Sequence, residues 1–254
     1  MRDLPRIVRL SAIAGVCACA SFGADFARAE AGPPMLTDDP GTPGDGHWEM
    51  NFAWTSERAA DSHHDELPLA DINYGVGERL QLKFEMPWAV DSGRSNNGFG
   101  NALVGVKWRF FDPGVYGWQI STYPQVGFLP PALHHAGSAE SGVSHLLPLE
   151  VQRDFGTFDA GFEIGREWSS QDRGDGWIAG IDIGHKFSER FALIGELYDK
   201  TVGGGDAHEL VFNVGARRTL AEHFTLLASL GTDIENTIGP RNRWLSYLGL
   251  QLTL

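Results

Sequence analysis

Cysteine is nearly missing: the 254 residues contain two, Cys17 and Cys19, and both fall within the first thirty. The rest of the chain must hold its shape without disulfides or a thiolate metal site. Long apolar runs are missing too. No stretch approaches the roughly 20 apolar residues that a membrane-crossing helix needs. Basic charge is scarce, with 20 Lys and Arg against 33 Asp and Glu and a formal charge of -13. An acidic surface repels phosphate backbones, which argues against a nucleic-acid partner. No Gly-rich phosphate loop occurs either, and nothing in the sequence calls for a cofactor.

The amino terminus has its own character. Arg2, Arg6 and Arg9 precede a short apolar run from Leu10 to Ala24, and Ala27-Arg28-Ala29 places small residues at a cleavage spacing. Residues 1–29 read as a secretory signal peptide, with Glu30 as the mature start. Its removal takes away four Arg and two Asp, so the formal charge moves from -13 to -15. A lipid anchor on Cys19 fits less well, because Val16 and Cys17 suit the preceding positions poorly. Residues 30–46 are rich in Pro, Gly and Asp without any period, a lead-in of extended or turning backbone. It is expected as a periplasmic tether, with a partial plug or a cation site on Asp38, Asp39 and Asp45 as the alternatives. The loop lacks an ordered ligand spacing for the last of these.

Residues 47–254 repeat one pattern. From Leu80 to Trp88 the even positions are Leu80, Leu82, Phe84, Met86 and Trp88, and the odd ones Gln81, Lys83, Glu85 and Pro87. A strand sends successive side chains to opposite faces, so this stretch has one apolar and one polar face. Helical spacing would scatter the charges all round the axis. Similar rows run from Trp48 to Trp54, Ala70 to Val76, Ala102 to Phe110, Trp118 to Phe128, Val143 to Val151 and Phe158 to Trp168. They continue from Trp177 to Phe187, Phe191 to Leu197, Leu210 to Ala216, Phe224 to Leu230 and Leu248 to Leu254. That predicts about twelve strands of roughly ten residues, the length a tilted strand needs to cross a bilayer.

Connections alternate strictly in length. Short ones fall at 77–79, 112–117, 154–157, 188–190 and 220–223; long polar ones at 56–66, 91–98, 129–142, 169–176, 201–207 and 232–242. An even strand number with this sorting predicts a closed antiparallel transmembrane β-barrel with short periplasmic turns and longer extracellular loops. A soluble sandwich has no reason to sort its loops so. Trp48, Trp54, Trp88, Trp108, Trp118, Trp168, Trp177 and Trp244 all take the outward phase near strand ends, where amphipathic rings form aromatic girdles.

The inward phase carries the charge. Lys83, Lys107, Arg109 and Arg217 face Glu85, Glu163, Asp182 and Glu196 in the expected pore lining, and glycines such as Gly75, Gly180 and Gly215 relieve crowding where strands bend. Catalysis finds little support. His145 and His185 lack a partnered serine and acid in the same phase. His63, His64, His134, His135 and His208 lie near Asp61, Asp65 and Asp206, but without regular metal-ligand spacing.

Several segments go beyond this pattern: Thr37-Asp38-Asp39-Pro40-Gly41 leading to Gly46-His47-Trp48-Glu49, Asp71-Ile72-Asn73-Tyr74-Gly75-Val76, Gly105-Val106-Lys107-Trp108-Arg109-Phe110, Tyr123-Pro124-Gln125 and Gly195-Glu196-Leu197-Tyr198. Together they resemble the outer-membrane transporters associated with the meta-pathway of phenol degradation. The resemblance implies a single-chain barrel in a Gram-negative outer membrane, with lipid, the barrel-assembly machinery and a small solute as partners. The chain ends in Leu254, where such barrels end in an aromatic residue. The expected function is passive passage of small solutes, aromatic compounds among them, through a narrow charged lumen. The alternative is a structural or ligand-binding barrel whose lumen is filled by side chains.

Overall fold

The computed structural model describes residues 32–91, 97–111, 117–130, 133, 142–170, 175–205 and 207–254. The expected leader at 1–29, Glu30, His134, His135, Asp206, the turn at 112–116 and most of the 129–142 loop lie outside the described residues.

Fourteen strand segments make one antiparallel sheet: β1 (Trp48–Arg58), β2 (His63–Val76), β3 (Leu80–Asp91), β4 (Gly98–Phe99), β5 (Ala102–Phe111), β6 (Trp118–Thr122), β7 (Gln125–Phe128), β8 (Val143–Asp154), β9 (Phe158–Ser169), β10 (Gly176–Ser188), β11 (Phe191–Val202), β12 (Ala207–Ala221), β13 (Phe224–Asn236) and β14 (Trp244–Thr253). β3 pairs with both β4 and β5, and β8 with both β6 and β7, so each couple is two halves of one stave. Twelve staves result. β1 closes on β14 from Glu49↔Thr253 to Arg58↔Trp244, giving the closed barrel that the alternation implied.

The two faces are inverted relative to a water-soluble protein. Leu82 is 46% exposed and Ile183 63%, whereas Glu150 is fully buried and Glu163 2% exposed. Apolar outside and polar inside is the distribution that hydrocarbon selects, and barrel closure satisfies the backbone there. No helix among the described residues is long and apolar enough to cross a membrane.

Two boundaries differ from the sequence expectation. Stretches expected as long loops are partly paired: β1 continues to Arg58, β2 begins at His63, β11 reaches Val202 and β13 reaches Asn236. Here both phases are polar, so the period disappears although the backbone ladder continues. Side-chain pairs hold it instead, such as Arg58 with Asp65 at 2.9 Å. The other difference is interruption. Residues 100–101 and 123–124 leave the ladder, beside Pro87 and Pro148, which have no N–H to give. Local donors repair the gaps: Gly100 N donates to Pro87 O at 3.1 Å, and Thr122 Oγ1 to Pro148 O at 2.7 Å. Thr122→Val keeps the shape and removes that donor, so it should lower unfolding stability by about 1–3 kcal/mol in a detergent-solubilised urea titration. An unchanged midpoint would show that the carbonyl is satisfied otherwise.

Candidate functional site

Among the described residues, charge is concentrated out of water in the lumen. Seven carboxylates there are buried (Asp71, Glu150, Asp159, Glu163, Asp182, Glu196 and Asp233) against two buried cations, Lys107 and Arg217, among the described residues. Adjacent strands put like charges side by side: Glu150 opposite Glu163, and Asp182 opposite Glu196. Such pairs need outside partners.

The partners come from the lead-in. At the short-turn end Gly77 N donates to Asp45 Oδ1 at 2.8 Å, and Thr42 Oγ1 to Glu78 O at 3.0 Å. The segment then runs up the interior. Asp38 N donates to Glu163 Oε2 at 3.0 Å, and Leu36 N to Glu196 Oε2 at 3.1 Å, with Thr37 N donating to the other oxygen of Glu196. A turn at residues 32–37, closed by Gly32 N to Thr37 O at 2.8 Å, brings Pro33 O to Arg217 Nη2 at 2.9 Å and Pro34 O to Ser229 Oγ at 2.9 Å. Thr37 is fully buried. Residues 32–46 thus lie against the inner wall from the short-turn rim to the strand midpoints.

The inward glycines acquire a reason the sequence did not show. A Cβ at Gly75 would overlap Gly44 O, one at Gly180 would overlap the Thr37 hydroxyl, and one at Gly215 would overlap the end of Met35. These glycines clear a path for the lead-in, in place of the strand bending expected for them.

Each expected lumen residue has a definite environment. Lys83 Nζ bridges Glu85 Oε2 at 3.0 Å and Asp71 Oδ1 at 3.4 Å. Lys107, 2% exposed, has Asp38 Oδ1 at 2.9 Å, Glu150 Oε2 at 3.5 Å and the Tyr123 ring centroid at 4.7 Å. Arg109 Nη2 donates to Glu78 O at 2.6 Å, near the short-turn rim. Among the described residues neither oxygen of Asp182 has a hydrogen-bond partner. Lys83 thus pairs with Glu85, two residues along its own strand, and with Asp71 on the adjacent strand, rather than across the lumen; Lys107, Glu163, Glu196 and Arg217 turn to the lead-in. Asp71, Glu150, Tyr123 and Asn213 join them. Asp71 and Glu150 take the inward phase of β2 and β8, whereas Tyr123 sits at a ladder break where phase gives no guide.

The Asp38 carboxylate feels opposing effects. Burial raises its pKa, but the charges of Lys107 and Lys83 and the Lys107 hydrogen bond hold it below the ordinary 3.8. A depressed folded pKa means that this attachment is complete above pH 3.8 and is lost as pH falls through the folded value. Conductance in planar bilayers should therefore step upward only below about pH 3.8, and Asp38→Asn should show the raised level at pH 7. A step at the same pH in both proteins would place the cause elsewhere.

The metal readings gather nothing. Asp38, Asp39 and Asp45 are divided among Lys107, Gly41 N and Gly77 N. His64 has Asp91 at 2.6 Å, and His208 has Asp199 at 3.0 Å. Among the described residues no group of three or more His, Cys, Asp or Glu could hold a metal ion. On the outer wall, Trp48, Trp88, Trp108, Trp118, Trp168, Trp177 and Trp244 are exposed. Trp54 is half-buried, and its Nε1 donates to Asp65 Oδ1 at 3.1 Å.

A closed twelve-stave barrel with an apolar belt and a polar lumen defines the class: the chain has the fold of the outer-membrane β-barrels. No protein-family model matches it, and no curated protein matches it by sequence. Solved structures do. An outer-membrane channel from Pseudomonas putida F1 superimposes with TM-score 0.67 at 12% identity, covering 86% of this chain and 99% of that one. The KdgM porin gives 0.58 at 13% identity, and the NanC porin 0.58 at 8%, each over 80% of this chain and 98% of its own. At such identities the likeness is one of fold.

Proposed function

We propose that the chain is a narrow, passive channel for small solutes in the outer membrane of a Gram-negative bacterium, with no catalytic role. Residues 32–46 restrict the lumen and admit solute when they shift. The observation that carries this reading is how the lead-in is attached: hydrogen bonds and the Lys107–Asp38 pair join it to side chains of the wall, and none of these contacts belongs to a strand ladder. The excess of buried carboxylates favours cations over anions. The family resemblance adds aromatic compounds as candidate solutes. Lipid and the barrel-assembly machinery follow from the membrane setting, and residues 1–29 would be cleaved on export.

Full burial of Thr37, Ser121 and Glu150 favours a second reading, a barrel whose lumen stays filled. Planar bilayers separate the two. The channel reading expects discrete, cation-selective steps from the purified chain. Silence, with no solute-driven swelling of liposomes, would favour the filled barrel.

A further inference from the structure

The long-loop rim holds a cavity that conduction does not require. It has a volume of about 790 Å³ and is lined by Asp61 and Ser62 from the β1–β2 connection, Thr232 of β13, and Arg241 and Arg243 ahead of β14. That volume lies within the range of small-ligand sites.

The two arginines stand apart in an acidic protein. Elsewhere in the long-loop half, every described Lys or Arg has a carboxylate: Arg58 with Asp65 at 2.9 Å, Arg166 with Asp175 at 3.1 Å, Lys200 with Glu167 at 2.9 Å. Arg241 donates only Nε, to the main-chain oxygen of Asp233 at 2.8 Å. Arg243 is tied through its main-chain N–H to Arg58 O at 2.7 Å. Both side chains are exposed, and their Nη groups engage no carboxylate among the described residues.

The backbone presenting them is fixed. Between them Asn242 is buried; its N–H donates to Asp233 Oδ2 at 2.6 Å, and its carbonyl accepts Asp233 N at 3.1 Å. The fully buried Asp233 carboxylate also accepts Asn236 Nδ2 at 2.9 Å. The backbone that presents both arginines is thus fixed, and the Arg241 guanidinium is held as well through Nε, which reduces the ordering loss on binding.

We propose that this cavity binds a phosphorylated sugar. The Arg241 and Arg243 guanidinium groups fork the oxygens of a phosphomonoester dianion, where planar paired donors are strongest. A bare phosphate would leave most of the volume empty. Asp61 and Ser62, on the same cavity, supply an acceptor and a hydroxyl for ring hydroxyl groups. The ligand chemistry has two sources, the phosphorylated glucosamine headgroup of lipid A in the surrounding leaflet or a free sugar phosphate. The lipid source rests on the outer-membrane reading; binding itself is independent of conduction.

The full purified chain in detergent carries its own reporter, since Trp244 adjoins Arg243 and is 56% exposed. Its fluorescence is titrated with glucosamine 1-phosphate, with glucosamine, and with vesicles containing lipid A or its dephosphorylated form. One phosphorylated probe should bind at least about tenfold more tightly than its dephosphorylated counterpart. The tighter of the two phosphorylated probes identifies the source. Arg241→Gln with Arg243→Gln should weaken it by about a hundredfold, while the Lys pair, keeping charge but not the fork, falls between. Asp61→Asn should weaken sugar phosphate and leave inorganic phosphate unchanged. Equal binding of phosphorylated and dephosphorylated probes, no binding of either, or parent-like affinity in the Gln or the Lys pair overturns the assignment. Conductance is never read, so the channel reading can fail separately.

Discussion

Replacing residues 33–44 with a short Gly-Ser linker should raise single-channel conductance severalfold. That segment occupies the interior from the short-turn rim to Glu163 and Glu196, and the linker has no carboxyl or bulky side chain to dock there. The barrel should still form, because β1 starts at Trp48 and its ladders to β2 and β14 do not use the replaced residues. A twelve-stave cylinder lies between eight-stave barrels, which side chains can fill, and wide porins, so its bore depends on what lies inside it. The measurement is paired recordings of the two proteins at neutral pH. Equal conductance would mean that the constriction belongs to the wall. Silence from both would leave a barrel sealed by its own side chains and end the channel reading.

Lys107→Met should be the most damaging single substitution in the lumen. Lys107 is 2% exposed and neutralises Asp38 and the fully buried Glu150 together. Methionine keeps the volume, removes the cation beside Glu150 and leaves Asp38 only the more distant charge of Lys83. Removing one partner of a buried ion pair destabilises by about 3–5 kcal/mol, because the remaining charge is neither hydrated nor paired. Urea titration of the detergent-solubilised barrel reads this loss. Adding Asp38→Asn should recover part of it, and the two changes should not be additive. A loss under about 1 kcal/mol would mean that water reaches Glu150 and screens it as at a surface.

The Leu80–Trp88 stretch shows how far sequence carries. Its period of two needs no tertiary information, and repeated along the chain it yields the stave count, the outward tryptophans and the inward charges. Inward phase also marks Lys107 and Glu163 as interior. Their partners are another matter. Asp38 lies in a segment without period, far from Lys107 along the chain, and only a closed cylinder brings them together. The same holds for Gly75 and Gly180, whose missing side chains are explained by the Gly44 backbone and the Thr37 side chain passing beside them. Arg58 and Asp65 extend the ladder through an ion pair, which leaves no apolar trace. Arg241 and Arg243 look like ordinary loop arginines until the neighbours that do not reach them are known.

The β1–β14 seam bears on how the barrel comes into being. Every other ladder joins neighbours in sequence and can zip as a hairpin, whereas this one joins Glu49 to Thr253. Its chain entropy must be lost before any of its bonds form, so this seam is expected to close last. Until it closes, the sheet has two open edges and an apolar face, a combination prone to aggregate in water.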